Sequence, residues 1–124
     1  MTCVVVYESG RRWIEHLRVR FHGQQVRVHH TTSAMDLLGR LGGDHDLILV
    51  AELCSRPLAT LDLIERVGAR RSDIATVVIA EAADQGLELA AREFGAAEFL
   101  CEPITPRELA ELIARMVRAR RRLT

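Results

Sequence analysis

The sequence contains no lysine, because all 17 of its basic side chains are arginines. Lysine is the side chain whose pKa is readily lowered for Schiff-base or general-base chemistry, and the one that contacts phosphates from a glycine-rich loop. Neither a GxGxxG nor a GK[ST] motif occurs either. The sequence therefore lacks the residues for these mechanisms and for a recognisable phosphate-binding loop.

Cysteines and long apolar runs are also scarce. Cys3, Cys54 and Cys101 are odd in number and widely spaced, which disfavours a disulfide framework and indicates a reducing compartment. No apolar run approaches the ~20 residues of a membrane-spanning helix, and residues 1–9 do not resemble a signal peptide. We expect a soluble, cytoplasmic protein in which Cys54, alone outside the predicted strands, is the candidate for thiol labelling.

The formal net charge is zero, but the charges are unevenly distributed. Residues 1–113 contain 12 arginines against 17 acidic residues and carry −5, whereas five arginines give residues 114–124 a charge of +5. Cations near the end of a helix are favoured by its dipole, so we interpret this tail as the solvated end of a last helix. A linker, a contact for an acidic partner and weak nucleic-acid binding are the alternatives, and the acidic body disfavours the last of them.

Apolar segments rich in β-branched residues alternate with segments of helical period. The strands are predicted at residues 2–8, 24–30, 46–51, 75–81 and 97–103. The helices are predicted at residues 11–21, 33–41, 57–68, 84–95 and 106–119, with Ser33 and Thr105 as caps at the start and Gly68 and Gly95 at the end of helices.

Two of the predicted helices carry clear apolar stripes that should face a sheet. In residues 11–21 the inward side chains are Trp13, Ile14, Leu17 and Phe21. In residues 57–68 they are Leu58, Leu61, Ile64 and Val67.

Alternation of strands and helices predicts right-handed crossovers and a parallel sheet covered on both faces. We expect a single α/β domain over residues 1–124 with a flavodoxin-like, doubly wound (βα)5 fold and strand order 2-1-3-4-5. In this architecture ligands bind at the carboxyl ends of the strands, near the switch point between the first and third strands.

Three local motifs point to a known family. "DLILVAEL" (46–53), "TVVIAEAAD" (76–84) and "GAAEFLCEPIT" (95–105) resemble the phosphoacceptor strand, the switch strand and the Lys-Pro segment of the receiver domain of bacterial response regulators. The resemblance covers essentially the whole chain. It implies an acidic metal-binding pair, a phosphoacceptor aspartate, a Thr or Ser, and a lysine before a proline in a cis peptide bond.

The residues at those family positions do not match. The acidic pair is Tyr7 and Glu8, the phosphoacceptor position holds Ala51, the Thr/Ser position holds Ile79 and the lysine position holds Glu102. An acyl phosphate needs a carboxylate nucleophile, a divalent cation and a countercharge. Here the position of the nucleophile holds the methyl group of Ala51. A phosphoryl group at this site would face the carboxylates of Glu8 and Glu102, with no positive charge to offset its own. Glu52 should face away from the site, because adjacent strand residues point to opposite faces.

The sequence thus predicts a degenerate receiver, or pseudo-receiver: a phosphorylation-independent interaction module of two-component type, with no enzymatic activity and no cofactor. By resemblance, its interaction face comprises residues 84–94, 97–101 and 106–119. The partner is a histidine kinase, an output domain such as one following Thr124, another regulator or a second copy, but not a membrane, and nucleic acid is disfavoured. On this face we select Leu87, Arg92, Phe99, Arg107, Glu111, Arg115 and Arg118.

The alternative is a flavodoxin-like domain that binds a small molecule or a divalent metal through acidic residues at the carboxyl ends of the strands. Several carboxylates in one cleft can bind a cation or share a proton. Glu8 and Glu52 are the candidates for a weak metal site, with Glu81 and Glu102 as further members of the cluster.

Overall fold

A computed structural model describes residues 1–43, 45–53 and 55–122, so the expectations for Cys54 and Thr124 lie outside the described residues. Its strands are β1 (Thr2–Tyr7), β2 (Val26–Thr31), β3 (Asp46–Glu52), β4 (Ala75–Ala80) and β5 (Ala96–Cys101). Its α-helices are α1 (Ile14–Phe21), α2 (Ala34–Gly39), α3 (Pro57–Arg70), α4 (Glu88–Glu93) and α5 (Pro106–Arg122).

The five strands form one parallel sheet in the order β2-β1-β3-β4-β5, which confirms the predicted fold class. The register aligns the carboxyl ends of the central strands. Tyr7 lies opposite Ala51, and Glu52 lies opposite Ile79. The candidate site residues of β1, β3 and β4 therefore share one edge of the sheet.

Alternating side chains of the strands divide into two cores, one on each face of the sheet. Val5, Leu49 and Ala51 belong to the core that packs against α2, α3 and α4. Val4 and Val6 belong to the core against α1 and α5. This second core also contains the four side chains predicted to face inward from the first helix, which are Trp13, Ile14, Leu17 and Phe21.

Two of the predicted helix starts are stabilised by side-chain caps. The Ser33 hydroxyl accepts a hydrogen bond from the Asp36 N–H at 3.2 Å. At the start of α5, Thr105 Oγ1 accepts from the Glu108 N–H at 3.1 Å, while Glu108 Oε2 accepts from the Thr105 N–H at 3.0 Å. This reciprocal pair satisfies donors that the helix itself leaves unpaired.

The prediction for α3 was wrong at two points. Leu58, in the first turn of the helix, is 69% exposed, whereas Leu63, which was not predicted to face inward, is buried together with Leu61. The helix also continues through Gly68 to Arg70. A single glycine costs an α-helix only about 1 kcal/mol, so the packing of the flanking turns maintains the helix.

The helix predicted at residues 84–95 is shorter and less regular than expected. A 3₁₀ segment, Ala82–Leu87, precedes the six-residue α4. Gly86 lies in this segment, and glycine is among the weakest helix formers. Gly95 follows α4 with a φ of +118°, which confirms it as the residue that ends the helix. None of the helices in the described ranges has the length and apolar composition needed to cross a membrane.

Candidate functional site at the carboxyl edge of the sheet

The residues at the positions that resemble a phosphorylation site do not all face the same side of the sheet. Ala51 is 1% exposed and packs in the core against α2, α3 and α4, and half-buried Tyr7 packs against the same core. Ile79 is 1% exposed but packs in the other core, against α1 and α5. Two of the positions have therefore become parts of opposite cores.

Glu8 is buried and stabilises the start of α1. It is 2% exposed, its Oε1 accepts a hydrogen bond from the Trp13 N–H at 3.1 Å, and its Oε2 accepts from the Ile14 N–H at 2.9 Å. First-turn N–H groups have no partner within a helix and favour a negative charge. His30 Nε2 lies 3.9 Å from Glu8 Oε2 and 2.7 Å from the Gly10 carbonyl oxygen, which fixes its imidazole at the same edge.

The only tryptophan fills the space next to this carboxylate. Trp13 is fully buried, and its Nε1 donates a hydrogen bond to Glu52 Oε2 at 2.7 Å. Glu52 thus extends toward α1, whereas its neighbour Ala51 faces the opposite core, in agreement with the alternation expected for a strand. This orientation disfavours Glu52 as a substitute phosphoacceptor.

The Glu102 carboxylate is paired with a cation that the sequence analysis did not assign to it. Arg12 donates to Glu102 Oε1 in an ion pair and also donates to the Ile104 carbonyl oxygen at 3.1 Å. Its guanidinium carbon lies 4.1 Å from the centroid of the Trp13 ring, within the range of a cation–π contact. The Glu102–Pro103 peptide bond is cis, as the resemblance implied.

The predicted weak metal site at Glu8 and Glu52 is not part of a larger cluster of ligands among the described residues. Within residues 1–43, 45–53 and 55–122, no group of three or more His, Cys, Asp or Glu side chains could hold a metal ion. Both carboxylates already accept hydrogen bonds from the protein. Glu81 is exposed at the end of β4, where its carbonyl oxygen accepts from Cys101 Sγ at 3.5 Å.

A cleft of about 150 Å³ remains beside β1 and β3, on the side of α3. It lies at the predicted switch point. Tyr7, Glu8 and Glu52 of its lining belong to the site residues predicted from the sequence. The rest of the lining consists of one leucine, one arginine and hydroxyl-bearing side chains, namely Ser9, Thr32, Leu53, Ser55, Arg56 and Thr60.

The predicted interaction face is divided by the edge strand β5, which pairs only with β4. On the α4 side, Leu87 and Phe99 are half-buried against the core. Arg92 is held by Glu88, with Nε to Oε2 at 3.1 Å, and by the Ala97 carbonyl oxygen at 3.0 Å. These side chains give the α4 side an ordered, partly apolar surface.

On the α5 side, a groove of about 490 Å³ lies between β5 and α5. Leu100, Ile104 and Leu112 provide its half-buried apolar surface. Charged side chains also line it, namely Glu98, Glu108 and Arg115. Arg107 and Arg118 are exposed on the same helix.

Glu111 does not line this groove. Its Oε1 accepts a hydrogen bond from Arg20 Nε of α1 at 3.3 Å. The ion pair links α5 to α1 and leaves Glu111 half exposed, so its place in the interaction face stays a prediction.

No protein-family model and no curated protein matches this chain. Solved structures do match. A response regulator receiver domain protein from Clostridium thermocellum has a TM-score of 0.76 at 14% identity, with 100% of each chain covered. A putative pilus assembly protein from Burkholderia thailandensis has a TM-score of 0.68 at 24% identity, covering 93% of this chain and 96% of that one.

A further match belongs to a structure described as a novel family of redox sensors in the streptococci that evolved from two-component response regulators. Its TM-score is 0.78 at 17% identity, covering 99% of this chain and 54% of that one. At such identities the likeness establishes the fold alone. The chain has the fold of response-regulator receiver domains.

Proposed function

We propose that this chain is a receiver-like signalling module that acts through protein contacts and does not depend on phosphorylation. The observation that carries the proposal is the position of Ala51, which occupies the end of β3 with a side chain that is 1% exposed and has no nucleophile. Such a module has no enzymatic role, and we place it in the cytoplasm.

The contacts around Ala51 support the proposal. A phosphoryl group needs cations that are free to neutralise it. Arg12, a cation at this edge, is paired with Glu102, while Glu8 is bonded to the backbone at the start of α1. The charges of Arg12 and Glu8 therefore stabilise the fold.

The test is incubation with acetyl phosphate and Mg²⁺, followed by intact-mass measurement. We expect no phosphoryl adduct on this protein, while a receiver domain that retains its aspartate is labelled in parallel. A stable adduct on the wild-type chain would refute the proposal. An adduct that mapped to Glu52 would identify this side chain, one residue after Ala51, as the phosphoacceptor.

For the partner we propose a second copy or another two-component protein, bound through α4, β5 and α5. The edge strand, the groove of Leu100, Ile104 and Leu112, and the exposed Arg115 support this location. Edge strands and partly exposed apolar grooves are typical of interaction sites.

Light scattering across a range of protein concentrations measures self-association directly. If the partner is a second copy, Arg115→Glu should weaken the dimer. Arg66→Glu, an equally exposed change on α3, serves as the matched control and should leave the dimer intact. Equal effects of the two substitutions would exclude this face as the dimer interface.

A further inference from the structure

Strand β2 is an open edge of the sheet, because it pairs with β1 and with no other strand of the described residues. The Glu8 N–H donates to the Thr31 carbonyl oxygen at 3.3 Å, so Thr31 and every second residue before it turn their backbone groups toward β1. Val28 and His30 lie between these residues and turn their N–H and C=O groups outward. An extended peptide can add to a sheet at an edge of this kind.

The side chains around β2 bring positive charge to this edge. Arg27 is exposed and forms neither an ion pair nor a hydrogen bond with the other described residues. The pKa of the neighbouring His29 is lowered by burial and then by the charges of Arg40, Arg27 and Arg18. Asp36 acts on His29 in the opposite direction, but its carboxylate is paired with Arg40 at 3.0 Å. The charges of three arginines therefore act on β2.

The free charge of Arg27 lies on one face of the strand. Arg27 is opposite Cys3, which belongs to the core against α2, α3 and α4. Val28 is opposite Val4, which belongs to the other core. A strand added next to β2 would alternate in the same way, with every second side chain on the face of Arg27. Acidic side chains at these alternate positions would lie beside its guanidinium group.

The charge and the outward backbone groups together favour an acidic peptide over other occupants. A second copy paired through its own β2 would bring the same arginines to the edge, and like charges across a strand pair are destabilising. The phosphates of a nucleic acid offer acceptors to the N–H groups of Val28 and His30 but no donors to their C=O groups. An extended acidic segment complements both the charge and the backbone groups.

We propose that β2 binds an extended acidic segment of a partner protein. The segment adds to the sheet as a further strand and places alternate carboxylates beside Arg27. Because β2 and β5 are opposite edges of the sheet, this site is separate from the α4–β5–α5 face. Failure at one of the two surfaces therefore leaves the other intact.

The test is an NMR titration of the ¹⁵N-labelled protein with a capped peptide in which glutamate and valine alternate. We expect saturable shifts centred on the N–H signals of Val28 and His30, with a Kd on the order of 1 mM. Hydrogen exchange of these two N–H groups should be slower in the complex, because both become hydrogen-bonded. The absence of a saturable shift at these signals at about tenfold that concentration would overturn the proposal.

Two matched peptides separate charge from strand pairing. A glutamine–valine peptide can extend in the same way but carries no charge, so it should bind about fivefold more weakly. A glutamate–proline peptide keeps the charge, but proline holds φ near about −65° and removes every second N–H, so this peptide should not slow exchange at Val28 and His30. Equal binding of the glutamine peptide, or equal protection by the proline peptide, would contradict the proposal.

Two variants of the protein locate the acidic side chains. Arg27→Gln should weaken binding of the glutamate peptide by about threefold and leave the glutamine peptide unaffected, because a pair of opposite charges is lost. Arg118→Gln, an exposed change on α5, is the matched control and should leave both peptides unaffected. Unaltered binding of the glutamate peptide to Arg27→Gln, or equal weakening of both peptides, would refute the site.

Discussion

Replacing Glu8 by glutamine removes the charge that stabilises the start of α1 while keeping the size of the side chain. The carboxylate accepts two backbone N–H groups, from Trp13 at 3.1 Å and Ile14 at 2.9 Å, and is 2% exposed. Glutamine keeps one acceptor oxygen and turns an NH₂ group toward the other N–H. Two donors then face each other in a buried position.

The cost follows from the two hydrogen bonds. A hydrogen bond to a charged group is worth about 1.5–3 kcal/mol, and a buried donor without an acceptor costs about 1–3 kcal/mol. Because glutamine weakens one bond and loses the other, we expect Glu8→Gln to lower the free energy of unfolding by roughly 3 kcal/mol, out of a typical total of about 5–15 kcal/mol. At about 4 °C per kcal/mol, the Tm should fall by roughly 12 °C.

Urea unfolding followed by tryptophan fluorescence measures this loss, because Trp13 is the single tryptophan and is fully buried. Glu93→Gln, an exposed change on α4, is the control and should stay within about 0.5 kcal/mol of the wild type. A loss below about 1 kcal/mol in Glu8→Gln would refute the role of this carboxylate at α1.

The same pair of proteins also tests the predicted weak metal site. An ion held by Glu8 would raise the Tm of the wild type in the presence of MgCl₂ and would do so much less in Glu8→Gln. We expect MgCl₂ to affect the two proteins equally, because both oxygens of Glu8 already accept backbone hydrogen bonds.

Further predictions concern packing, an ion pair and acid stability. Leu61→Ala should lower the free energy of unfolding in urea by about 2–5 kcal/mol, because this side chain is fully buried. Leu58→Ala should lower it by less than about 0.5 kcal/mol, because this side chain is 69% exposed. Equal losses in the two variants would contradict the observed packing. The half-exposed pair Asp46–Arg120 should show a coupling of about 1 kcal/mol or less in a double-mutant cycle, and no coupling at low salt would exclude a stabilising contact. A hydrogen bond from Arg71 lowers the pKa of Asp73. The stability that this carboxylate contributes is therefore present above about pH 3.9 and is lost as the pH falls through the lowered pKa. A carboxyl ¹³C titration that gave an ordinary pKa for Asp73 would refute this.

Local patterns were sufficient to predict most of the architecture. Uninterrupted aliphatic runs such as residues 75–80 are typical of strands buried on both faces, and Ser33 and Thr105 are recognisable caps. Leu58 was assigned to the buried stripe from its spacing alone. Spacing identifies a face of a helix but does not show which residues of its first turn are covered by the rest of the fold, so the exposure of Leu58 could not be predicted from the sequence.

The contacts of the candidate site could not be predicted from local sequence patterns. Arg12 and Glu102 are 90 residues apart, and Trp13 and Glu52 are 39 apart. Their proximity depends on the strand order, which brings the start of α1 next to the ends of β3 and β5. The adjacent arginines at the start of α1 were the one available signal, because a cation at this edge would be drawn to an acid at the lysine position.

These contacts link three carboxylates at this edge to one segment of the chain. Residues 12–14 donate to each of them, with Arg12 bonded to Glu102, the Trp13 indole to Glu52 and two backbone N–H groups to Glu8. An aspartate introduced at position 51 alone would place a new carboxylate in a closed core, because Ala51 is 1% exposed. A ligand shifts a conformational equilibrium only by binding one state better than the other. In the proposed function no phosphoryl group binds one state better than another. The module would therefore present its α4–β5–α5 face constitutively, and the concentration of the partner would control the signal.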